Sequence, residues 1–67
     1  MKSILKVAVI QTFEDVNIIK QAVANNEGVV ACEVSKEKKE ISVVYDNHFL
    51  KIDDIIDSIE ELGYIIL

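Results

Sequence analysis

The sequence predicts an α+β domain, with four short strands and two helices in the order β-α-β-β-α-β. Three observations carry that expectation. Apolar residues recur at helical spacing in two stretches, Val16 to Val23 and Ile52 to Leu62, and in period two elsewhere. Glycine occurs only at Gly28 and Gly63, each past the end of one helical stretch, and proline is absent. The hydrophobic fraction is 51%, heavily Ile and Val, which suits a compact globule rather than a disordered chain.

Each element follows from local pattern. Leu5, Val7 and Val9 alternate with Lys6 and Ala8, as in a half-buried strand. Thr12 then stands at a helix N-cap position with Asp15 three residues on, a carboxylate variant of the capping box. Glu14 and Asp15 fall in the first turn, where the helix dipole favours negative charge. The helix places Val16, Ile19 and Val23 on one stripe with Ala22 beside them, and Asn25-Asn26-Glu27-Gly28 ends it. Val30, Cys32 and Val34 alternate with Ala31, Glu33 and Ser35 in a second strand. The charged turn Ser35 to Lys39 leads to a third strand, with Ile41, Val43 and Tyr45 inward, so the two strands read as a hairpin. After the loop Asp46-Asn47-His48, a second helix carries Ile52, Ile55, Ile56, Ile59 and Leu62, with Asp53, Asp54, Asp57, Glu60 and Glu61 outward. Gly63 ends it, and Tyr64 to Leu67 form a short last strand. The expected architecture is the ferredoxin-like split βαβ sandwich, a four-stranded antiparallel sheet covered on one face by two helices.

Composition narrows the function classes. A chain of 67 residues is read as one domain, 1–67, near the lower size limit for a core without staples. The single cysteine, Cys32, rules out an internal disulfide and a thiolate zinc cluster. A net charge of −5 and the absence of arginine argue against nucleic-acid binding. No apolar run reaches the roughly 18 residues of a membrane span, and the charged start Met1-Lys2-Ser3 lacks a cleavage pattern. The expectation is therefore a cytoplasmic protein without membrane or nucleic-acid partners.

With its elements placed, the chain resembles the heavy-metal-associated domain family, the copper chaperones and metal-ATPase N-terminal domains. The residues that carry the likeness run without gaps over almost the whole chain: Leu5-x-Val7, Val16-Asn17 with Ile19 and Ala22-Val23, Gly28-Val29, Glu33-Val34, Val43-x-Tyr45-Asp46, Ile55, Ile59-Glu60-Glu61-Leu62 and Gly63-Tyr64. The defining motif of that family, Gly-Met-x-Cys-x-x-Cys, leads from the first strand into the first helix. Counted back from Val16, that segment is Val9-Ile10-Gln11-Thr12-Phe13-Glu14-Asp15, with Thr12 at the first cysteine position and Asp15 at the second. Soft thiolates select Cu(I), and a threonine hydroxyl is not ionised at neutral pH. The family's metal activity therefore does not transfer to Thr12 and Asp15; these are expected to cap the helix, and no metal ligand or cofactor is assigned.

Other residues are weighed against plain structural roles. Cys32 on the inward side of a strand is expected as a core thiol, and His48 as a surface imidazole. Tyr64 matches a position near the metal loop in bacterial members, so it is expected to pack near Thr12, Glu14 and Asp15 or in the core. The acidic side of the second helix reads as a solvated face. Ile18 and Ile56 stand where the family more often has small or polar residues, and mark a possible interface, with Val44 and Ala8 on the open sheet face. No nucleophile–base pair or acid–base cluster is visible, so an enzyme is not expected. The expected function is a binding or interaction module, acting on another protein or on itself. The alternative is a metal-trafficking protein with a non-standard or intermolecular site drawn from Cys32, His48 or acidic side chains.

Overall fold

The computed structural model describes residues 1–67. Five elements follow one another: β1 (Lys2–Lys6), α1 (Phe13–Ala24), β2 (Val29–Ser35), β3 (Glu40–Tyr45) and α2 (Ile52–Glu60). The strands form one antiparallel sheet of order β1-β3-β2, with Leu5 opposite Ile41 and Cys32 opposite Val43. Period two then gathers Leu5, Ile41, Val43, Tyr45, Cys32 and Val34 on one face, where they pack with Ile19 and Val23 of α1 and Ile55 and Ile59 of α2. Ile10 and Leu50, both from connecting segments, complete this core.

The expected fourth strand is reduced to a single bridge, Val7 with Ile66. Two backbone bonds flank it: the Ala8 amide donates to the Ile65 carbonyl, and the Leu67 amide to the Lys6 carbonyl, each at 2.9 Å. The ladder extends no further because the chain bends at Ala8, directly after Val7, and leaves the sheet. The segment lies where the split βαβ order requires, on the free edge of β1, but the sheet has three strands rather than four.

The same bend corrects the first strand: Val7 is buried while Val9, expected on the same face, is exposed, and Ile10 takes the inward place. In β2 the register shifts between Val29 and Ala31, so Val30 is an extra residue on a β-bulge. Val29 rather than Val30 packs inward, and Val30 is 72% exposed. Leu62 also leaves the core, because α2 ends at Glu60 and Leu62 lies in the turn beyond it.

Two contacts tie the helices down. The Asn26 amide donates to the Ala22 and Val23 carbonyls at the end of α1 and to Ser58 Oγ of α2 at 3.1 Å. At Gly28, φ is +98°, and a Cβ there would stand 2.7 Å from Leu50 Cδ2 and 2.9 Å from Phe49 Cβ. Gly28 thus meets two demands at once, a left-handed backbone and close passage of the loop before α2.

Candidate functional site

The corner between β1 and α1 is built from residues 9–15. Burial of Ile10 anchors the loop, and the backbone of Thr12 is extended (φ −129°, ψ 163°), the geometry of an N-cap. Thr12 Oγ1 accepts from the Asp15 amide at 3.1 Å, and Asp15 Oδ2 accepts from the Thr12 amide at 3.2 Å, so the capping box is formed in both directions. The Gln11 amide donates to the same Oδ2 at 3.1 Å.

Asp15 Oδ1 is taken by Tyr64, whose hydroxyl donates to it at 2.5 Å across 49 residues of sequence. This bond is the largest influence holding the Asp15 carboxyl below its usual range, followed by the Gln11 amide; partial desolvation opposes them, and the Thr12 amide and hydroxyl add to the lowering. Its reciprocal effect pushes the Tyr64 hydroxyl up to about 12, since the carboxylate stabilises the protonated phenol; desolvation and the charges of Asp15 and Glu14 act in the same direction. The turn after α2 is thereby fastened to the first turn of α1. Both faces of the carboxylate are occupied by donors of the chain itself.

Phe13, the first residue of α1, lies 74% exposed beside this corner, with Lys36 Nζ 4.8 Å from its ring centroid. That contact joins the corner to the β2–β3 turn and was not legible in the sequence, where Phe13 and Lys36 are 23 positions apart with no shared pattern. Glu14 stands exposed in the first turn of α1.

The remaining candidates lie apart. Cys32 is half-buried on β2 against the core, where desolvation pushes its thiol up; the nearby Lys20 opposes this and Glu33 adds to it. His48 is exposed, its amide donating to Asp46 Oδ1 at 2.9 Å in a side-chain turn. Ile18 on α1 is 38% exposed and Ile56 on α2 is half-buried; Val44 and Ala8 are half-buried. No three His, Cys, Asp or Glu side chains converge in a way that suits a metal ion. No helix is long and apolar enough to cross a membrane.

No family model matches the sequence, and no curated protein matches it. Solved structures do. A CopZ metallochaperone superposes with a TM-score of 0.97 over all of both chains at 27% identity. A copper-binding domain from HMA7, a P-type ATPase, gives 0.94 at 26% identity, covering 98% of this chain and 89% of that one. The yeast copper transporter domain CCC2A, studied in apo and Cu(I)-loaded states, gives 0.90 at 29% identity over 97% and 89% of the two chains. The structural neighbours of this chain are thus copper chaperones and metal-ATPase domains of heavy-metal-associated type.

Proposed function

We propose that this chain is a domain of heavy-metal-associated type whose Cu(I) site has been replaced by a structural corner, and that it works as a non-catalytic interaction module. The similarity to copper-binding chaperones and transporter domains supplies the class. The observation that carries the rest is the state of Asp15. At the corner where the family motif would place two thiolates, the chain offers a hydroxyl and a carboxylate, and that carboxylate already accepts from Gln11, Thr12 and Tyr64. Cu(I) is bound by soft ligands, and neither side chain is one. The donor set does not fit that ion. The half-buried Cys32 sits on β2, away from this corner, and is read as a core residue in a cytoplasmic protein.

The test is metal competition. The isolated chain, titrated with Cu(I) against a chelator, is expected to take up none at chaperone-like affinity. A stoichiometric tight complex would overturn the reading, and its loss in Cys32→Ala would place the ligand on β2 instead. Replacing both corner residues, Thr12→Cys with Asp15→Cys, is expected to create Cu(I) uptake. A folded double variant that binds none would show that the corner does not occupy the motif's position.

A further inference from the structure

Residues 64–67 meet the connection between β1 and α1 at both of its ends. Past α2, Gly63 takes φ +97° with nothing within 4 Å of where a Cβ would stand, so the chain turns there free of packing. At Ala8, where the chain leaves the sheet, the amide donates to the Ile65 carbonyl at 2.9 Å. At Asp15, in the first turn of α1, Oδ1 accepts from the Tyr64 hydroxyl. Two adjacent residues of one short segment thus hold the start and the end of the corner.

Little else holds either part. Between the two ties only Ile10 is buried, and the Gln11 and Thr12 amides have Asp15 Oδ2 as their acceptor. The segment itself adds the bridge of Ile66 with Val7 and the bond from the Leu67 amide to the Lys6 carbonyl. Tyr64 and Ile66 pack on the core, while Ile65 and Leu67 are exposed. Regions with few buried side chains and few backbone bonds open at lower free energy than the core. Asp15 makes the two openings one event. When the segment lifts, Oδ1 loses its donor, and the carboxylate that holds Gln11 and Thr12 through Oδ2 is no longer fixed. The Ala8 bond is broken in the same step.

We propose that residues 64–67 are a strap across the corner: the strap and residues 8–15 open and close as one unit, fastened by the Tyr64–Asp15 bond, while the β1–β3 ladder stays closed. Exposure of the corner backbone then requires release of the strap from β1. The inference is independent of the metal reading: it is tested on the metal-free chain, and its failure leaves that reading untouched.

Native-state amide hydrogen exchange, read residue by residue by NMR on the whole chain, tests it. Tyr64→Phe removes only the hydroxyl. It is expected to speed exchange about fivefold at Gln11 and Thr12 in the corner, and by the same factor at Ala8 and Leu67 along the strap. The amides of Val7 and Tyr45, bonded to Lys39 and Met1 across the β1–β3 ladder, are expected to keep their rates. Asp15→Asn weakens the fastening from the corner side and is expected to speed Leu67 at the far end of the strap. Faster exchange on one side alone, in either variant, would show two separate units. Equal acceleration at Val7 and Tyr45 would show opening of the whole domain, and unchanged rates would show that the bond holds nothing closed. Each of these results overturns the proposal.

Discussion

Asp15 concentrates the local chemistry of this protein, and its effect on stability has a definite pH signature. Its folded carboxyl titrates below its unfolded value, with the Tyr64 hydroxyl as the first cause. The stabilisation is therefore fully present above the unfolded value of about 4 and is lost as pH falls through the folded one. Tyr64 has the opposite sign. Its folded value is raised to about 12, so its contribution is complete below the unfolded value near 10 and is lost as pH rises through 12. Urea midpoints of the wild type and Asp15→Asn should differ by a constant amount across neutral pH and converge below about pH 4. A gap that persists unchanged into acid would remove Asp15 as the titrating group. The sequence places Thr12 and Asp15 three apart and makes the capping box legible. The Tyr64 bond spans 49 residues, and only the fold brings its partners together.

The elements owe their boundaries to a few residues whose loss should be measurable. Thr12→Ala removes the side-chain acceptor at the start of α1 and is expected to cost about 1 kcal/mol in thermal or urea unfolding. The start of α2 has less to lose: its N-cap is Lys51, which has no acceptor, and the Asp54 carboxylate alone accepts from the Lys51 amide at 3.0 Å. Gly28→Ala should be costlier than Thr12→Ala. The left-handed backbone carries a penalty of roughly 1 kcal/mol for any Cβ, and crowding against Leu50 and Phe49 adds about 1–3 kcal/mol. Equal midpoints for Gly28→Ala and wild type would mean that the loop before α2 shifts freely. The glycine was recognisable as a helix stop from its position, but the passage of Leu50 above it was not.

At the scale of the whole molecule, ten buried side chains, all apolar but for the Tyr45 hydroxyl, which lies 3.3 Å from Ser3 Oγ, hold 67 residues together. A core in a domain of this size rarely supplies more than roughly 3–5 kcal/mol of net stability. Ile55→Ala, at a fully buried position on α2, is expected to cost about 2–5 kcal/mol, a large share of that margin, read as a lowered urea midpoint by circular dichroism. Ile18→Ala, on the exposed side of α1, should change stability by no more than about 0.5 kcal/mol. An unchanged midpoint for Ile55→Ala would show that the Ile55 side chain contributes nothing to the core. Sheet edges are also a property of the whole molecule: one is partly closed by residues 65–67 and the other is open along β2.

The sequence by itself determined the order of the elements, the stripes Ile19–Val23 and Ile55–Ile59, the hairpin of β2 and β3, and the cap at Thr12. All of these are set by spacings of two to four residues, which local backbone geometry converts directly into faces and ends. Tertiary structure alone decided where those periodicities break. Val9 leaves the sheet because the chain bends at Ala8, Val30 turns outward because β2 carries an extra residue against β3, and Leu62 is exposed because α2 ends before it. It also decided that the last strand is one bridge long, and that Tyr64 meets Asp15, Asn26 meets Ser58 and Lys36 covers Phe13. Such contacts depend on how separate elements dock, and no short-range pattern in a chain encodes the distance between its distant parts.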